Sequence, residues 1–151
     1  MIGLDTNVLV RYFAQDDPVQ SRKASALIES LTPERPGYVT QVALIEVVWV
    51  LGRAYDAGRE EIAQVIETLL RTKELVVEAA ETVWKALRLY AGSSADFADC
   101  LIERACHEAQ CEYTVTFDAK AAKTAGLKLI KQRKSGDSKC TTLLHNSLPS
   151  L

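Results

Sequence analysis

Acidic side chains break into apolar segments at four places in this sequence, and those places carry its clearest chemical signal. Glu46 is the only charged residue between Tyr38 and Gly52, in a stretch built otherwise from Val, Leu, Ile, Ala and Trp49. An unpaired carboxylate in such surroundings costs roughly several kcal/mol, so it calls for a cation, a base or a water-filled cleft. The plainer alternative is a glutamate on one narrow solvent-facing stripe. Asp5 and Asp118 each follow directly on an apolar, strand-like run, MIGL and YTVTF. Ligand sites in open parallel sheets form beyond the carboxyl ends of the strands, although an aspartate there also serves routinely as a helix N-cap. Asp96 and Asp99 stand three apart at the start of a helix, on one face near its positive end. Capping accounts for Asp96 more readily than for Asp99, which already precedes the apolar run Cys100-Leu101-Ile102. Brought together, these carboxylates repel one another and need cations to be tenable. Oxygen-only ligands select hard ions, so Mg²⁺ or Mn²⁺ is the expected cofactor.

The elements that must position these acids alternate between strand and helix. Residues 1–4 read as a short buried strand, followed by the inward-packing helix of VLVRYF. Asp17-Pro18 restarts the chain as an N-cap followed by proline at the first helical position. Pro33, Pro36 and Gly37 end that helix, residues 38–40 form a second strand, and Thr40 caps a long apolar helix to about Tyr55. Residues 59–73 are amphipathic, 75–77 strand-like, 81–90 and 95–111 helical, 113–117 a strand, and 127–130 the last strand after a short helix. Strands alternating with helices predict a parallel sheet flanked by helices, a three-layer α/β domain over residues 1–130. Residues 131–151 are expected to form a basic and then irregular tail.

A chain of 151 residues, 48% apolar and 25% charged, is the size of one compact domain with a substantial core. No window is long and apolar enough to span a membrane, and the N-terminus lacks the basic-then-apolar pattern of a secretion signal. A soluble, cytoplasmic protein is therefore expected. Cys100, Cys106, Cys111 and Cys140 form no CxxC pair and are expected to be reduced and structural. Cys106 and His107 are neighbours that a helix points in different directions, which argues against zinc at Cys106, His107 and Cys111. The net charge of −2 does not mark a nucleic-acid binder and does not exclude one, because attraction to phosphates depends on where the charge lies.

The ordered set of Asp5-Thr6-Asn7 after a first strand, Glu46 in an apolar helix, Asp-Phe-Ala-Asp at 96–99, and Thr-Phe-Asp at 116–118 resembles PIN domains. LDTNVLVRYFAQDDP and ADFADCLIERA are particularly similar to the VapC-type toxins. The resemblance covers the chain from Met1 to about Ile130. It implies metal-binding, catalytic acids at Asp5, Glu46, Asp99 and Asp118, with Asp96 as an extra ligand or a supporting acid. It also implies that Asn7 and Thr116 hold the carboxylates in place by hydrogen bonds. The implied activity is Mg²⁺-dependent endoribonucleolytic hydrolysis of RNA. The implied partners are an antitoxin protein whose C-terminal segment lies across the site, and a second copy in a homodimer. The tail departs from the family pattern: Lys131, Arg133 and Lys134 either touch RNA phosphates or form a solvated basic run.

Metal-assisted hydrolysis requires no covalently attached residue, and His107 and His145 occupy no position that the motifs use. There is no GxSxG and no cysteine paired with a base, so nucleophilic Ser or Cys chemistry lacks its marker. Arg11, one turn after Asn7, either reaches substrate or pairs with Asp16 or Asp17. A haloacid-dehalogenase-like phosphatase wants a second aspartate where this chain has Asn7, and a receiver domain wants paired acids that are absent here. The remaining alternative is a non-catalytic PIN-fold scaffold that binds RNA or organises an assembly; such members lose acids, and this chain keeps them.

Overall fold

The computed structural model describes residues 1–131. Three parallel strands form its central sheet: β1 (Ile2–Gly3), β2 (Gly37–Val39) and β3 (Leu75–Val77) in the order β1-β2-β3. Ile2 is opposite Gly37, and Val39 is opposite Val77. A second parallel pair joins β4 (Val115–Thr116) to β5 (Lys128–Leu129). The parallel α/β expectation is met, with the hydrogen bonding divided into these two pieces. The runs 113–117 and 127–130 yield strands of only two residues each, because this end of the sheet is thinly covered: Val115, Phe117 and Leu129 are all exposed.

Seven helices are described: α1 (Thr6–Ala14), α2 (Pro18–Glu29), α3 (Gln41–Ala54), α4 (Arg59–Arg71), α5 (Ala80–Ala91), α6 (Phe97–Glu108) and α7 (Ala119–Ala125). Their starts follow local chemistry. The Asp17 carboxylate accepts from the Val19 and Gln20 N–H groups at 2.9 and 2.8 Å, with Pro18 at the first helical position. The Thr40 hydroxyl accepts from Ala43 N–H at 3.1 Å and opens α3. Gly58 both separates α3 from α4 and caps the latter, its N–H donating to the Glu61 carboxylate at 2.8 Å.

The core is a single apolar cluster through Leu9, Val39, Leu44, Val47, Ile66, Leu69, Val83 and Cys100. Gly37 is where the sheet demands glycine, since a Cβ would lie 2.8 Å from side-chain atoms of both Leu4 and Leu75. α1 packs on α2 and α3, α5 on α4 and α6, and α3 also touches α6, which in turn holds α7. Among the described residues no helix is long and apolar enough to cross a membrane. Of the tail, only Lys131 lies inside the described residues; Arg133, Lys134, Cys140 and His145 lie outside them.

Candidate active site

Asp5, Asp96, Asp99 and Asp118 sit where the chain passes into a helix, whereas Glu46 lies within α3. Asp5 follows β1 and is the N-cap of α1, its Oδ2 accepting from the Asn7 backbone N–H at 3.4 Å and from Asn7 Nδ2 at 3.3 Å. Next to it Thr6 is buried, and its hydroxyl donates to Glu46 Oε2 at 2.5 Å. That bond ties the first turn of α1 to the middle of α3 and joins Asp5, Thr6, Asn7 and Glu46 into one group. Asp118 follows β4 and caps α7, with Oδ1 accepting from Lys120 N–H at 2.7 Å and Ala121 N–H at 3.1 Å. The Thr116 hydroxyl accepts the Asp118 N–H at 3.0 Å and fixes the turn that presents the carboxylate.

Asp96 and Asp99 form the second group with Asp118. Asp99, half-buried in the first turn of α6, has its carboxyl raised above the ordinary range, first by burial and then by the charges of Asp96 and Asp118, with Lys120 opposing. Asp96 occupies the N-cap position of α6, yet its side chain makes no capping hydrogen bond. The capping explanation for Asp96 is therefore set aside; its carboxylate faces the Lys120 ammonium instead, at 3.8 Å.

Glu46 corrects a simpler expectation. It is exposed, on the α3 face that also presents Val42 and Trp49, so it bears no deep-burial penalty. The apolar run misled because Val42 and Trp49, 70% and 63% exposed, are themselves on the surface. Arg11 is committed to structure: its guanidinium donates to Asp16 at 2.7 Å, to the Tyr55 hydroxyl at 3.1 Å and to Gln20 at 2.8 Å. The Tyr55 hydroxyl and Arg11 together hold the Asp16 carboxyl below its usual range.

Sequence reasoning gave no role to Thr6, Lys120 or Glu78. Thr6 carried only one signal, a hydroxyl in the first turn beside a strand-end aspartate. Glu78 is a further acid directly after a strand, but its carboxylate accepts the Gln41 N–H at 2.8 Å and is spent on the start of α3. The core thiol of Cys100 is pushed up to about 11, first by burial and then by Asp99; Cys106 is half-buried and Cys111 exposed.

Among the described residues no three His, Cys, Asp or Glu side chains stand close enough to form a ready-made metal cage. The donor chemistry nevertheless fits a hard divalent cation. Asp5, Glu46 and Asp118 each engage protein donors through one oxygen and keep the other without one, and Asp99 accepts no hydrogen bond among the described residues. Carboxylates half-anchored in this way have defined positions and unused lone pairs. Asp5, Asp99 and Asp118 stand at the positive ends of α1, α6 and α7.

The chain is similar to a VapC ribonuclease of Aquifex aeolicus (strain VF5), 29% identical over 98 residues that make up 65% of this chain and 73% of the relative. The model of the PIN domain family matches residues 2–127, a span that runs from β1 through α7 and takes in all of the acids above, and the chain therefore belongs to the PIN-domain family.

Proposed function

We propose that this chain is a divalent-metal-dependent endoribonuclease, the toxin component of a toxin–antitoxin pair, acting in the cytoplasm as a homodimer. The observation that carries this reading is the set of half-anchored carboxylates, Asp5 and Asp118 at helix starts and Glu46 within α3, with the Asp99 charge disfavoured by burial and then by its acidic neighbours. Asp5, Glu46, Asp99 and Asp118 would hold Mg²⁺ or Mn²⁺, with Asp96 as a further acid beside them. A divalent ion bound there supplies Lewis-acid polarisation of the phosphodiester and a strong nucleophile at neutral pH.

The chain's own residues supply the positioning. Thr6 fixes the rotamer of Glu46, Asn7 holds Asp5, and Thr116 sets the turn that aims Asp118. Lys120, near Asp96, offsets part of the local negative charge that an incoming phosphate meets. An antitoxin would inhibit by placing a basic side chain against the same carboxylates, since a guanidinium and a metal compete for the same oxygens. The name of the relative, VapC ribonuclease, supports the ribonuclease reading.

The test is incubation of the purified chain, freed of any partner, with a mixed tRNA and mRNA pool, with and without Mg²⁺. The expected result is fragments that require Mg²⁺, and a loss on the order of a hundredfold or more in Glu46→Gln with the fold retained. A pool left intact under both conditions, by protein that still binds it, would identify a scaffold instead.

A further inference from the structure

We infer that Trp49 is a stacking platform for an RNA base and Arg53 its phosphate contact, in a groove bounded by α3, α4 and α6 that Asp96 also lines; this rests on the nuclease reading and extends it to how substrate is held. Trp49 is 63% exposed, one turn beyond Glu46 on the same face of α3. Trp84, the other tryptophan, is half-buried against the core. The groove beside Trp49 has a volume of about 530 Å³, and Gly52, Ala98 and Asp96 are among the residues that line it. It thus includes one of the site's acids, Asp96, in its lining, while Glu46 stands one turn from Trp49 on α3.

Arg53 supplies the charge that a polyanion needs. Its guanidinium carbon lies 6.0 Å from the Trp49 ring centroid, and among the described residues it forms no ion pair. Arg59, which also lines the groove, is spent on the carbonyls of Tyr90, Ser93 and Ala95 and on the face of Tyr90. Stacking is indifferent to net charge, which suits a chain of net charge −2 that must hold RNA next to its own carboxylates. Unstacked bases of single-stranded RNA lie on exposed aromatic rings and arginine planes for this reason.

A second copy of the chain is the competing occupant, and the two ends of the α3–α6 surface differ in what they offer. The end lined by Val42, Ile45, Leu101 and Ile102 carries no charged side chain, whereas the Trp49 end carries Arg53 and Asp96. An arginine cation beside one exposed ring matches a nucleotide better than an apolar protein face.

Two readouts test this. In steady-state cleavage of single-stranded RNA with Mg²⁺, Trp49→Ala should raise KM on the order of tenfold with kcat little changed, and Trp49→Phe should recover most of the loss. Arg53→Ala should also raise KM and lower the salt dependence of binding by about one phosphate contact. Independently of cleavage, single-stranded RNA should quench tryptophan emission in the wild type and leave Trp49→Phe unquenched. An active wild type with KM unchanged in Trp49→Ala, or RNA binding without quenching, would overturn the inference. So would a KM defect that disappears at higher protein concentration together with a change in mass, which would assign Trp49 to contact between copies. Quenching without any cleavage would uphold the platform and refute the nuclease.

Discussion

Asp99 is the acid whose surroundings work against its own charge: burial raises its carboxyl first, and Asp96 and Asp118 add to the effect. A raised value means that the folded protein holds this proton more tightly than the unfolded chain does. Its contribution to stability is therefore present below the ordinary carboxylate pKa and is lost as pH rises through the folded value. In metal-free buffer Asp99→Asn should melt higher than the wild type at pH 7, and the difference should vanish in acid, where Asp99 is protonated in both states. Thermal melts at the two pH values check this, and a wild type that is the more stable of the two at pH 7 would show that Asp99 is not under repulsion. The acids themselves were legible in the sequence, because a charged residue that breaks an apolar run is visible without a structure. The hydroxyl of Thr6 was not, since its partner Glu46 lies 40 residues away and threonine at a helix start has a routine local explanation. Glu46 stands out in the sequence for a reason only partly right, since Val42 and Trp49 beside it are apolar and yet exposed.

Helix starts do two tasks in this molecule, capping the backbone and presenting acids. Asp118 shows both: one oxygen takes the Lys120 and Ala121 N–H groups while the other remains available. Asp118→Asn should keep the cap and lose activity, whereas Asp118→Ala should lose both, at a further cost in stability of about 1 kcal/mol. Denaturant melts of the two variants separate the roles, and equal stability would mean that the α7 cap contributes nothing. The helices were readable because their signals are local, Asp17-Pro18 and Thr40 above all. The extents of β4 and β5 were not, because two-residue strands carry no alternation and their length depends on how far neighbouring elements cover them. Asp96 stands at an N-cap position without capping, a distinction that residue type does not encode.

At the scale of the whole molecule, parallel strands in two hydrogen-bonded pieces end at Asp5 and Asp118, and helix packing sets Glu46 beside the first and Asp99 within range of the second. The sequence order predicted that general arrangement, since strands alternating with helices leave few ways to pack. The division of the sheet into two hydrogen-bonded pieces and the groove beside Trp49 depend on contacts between elements far apart in sequence, and no local pattern announces them. The same packing leaves two groups of acids, Asp5 with Glu46 and Asp99 with Asp96 and Asp118, and no closed cage among the described residues, so under the proposed function cation binding must draw them together. Metal uptake is thus the event on which the proposed activity depends. Calorimetric titration of Mn²⁺ into metal-free wild type and Asp99→Asn tests it most directly. The wild type should bind with a saturable heat and the variant at least about tenfold more weakly; identical isotherms, or no binding by the wild type, would contradict the proposal that these acids form a metal centre.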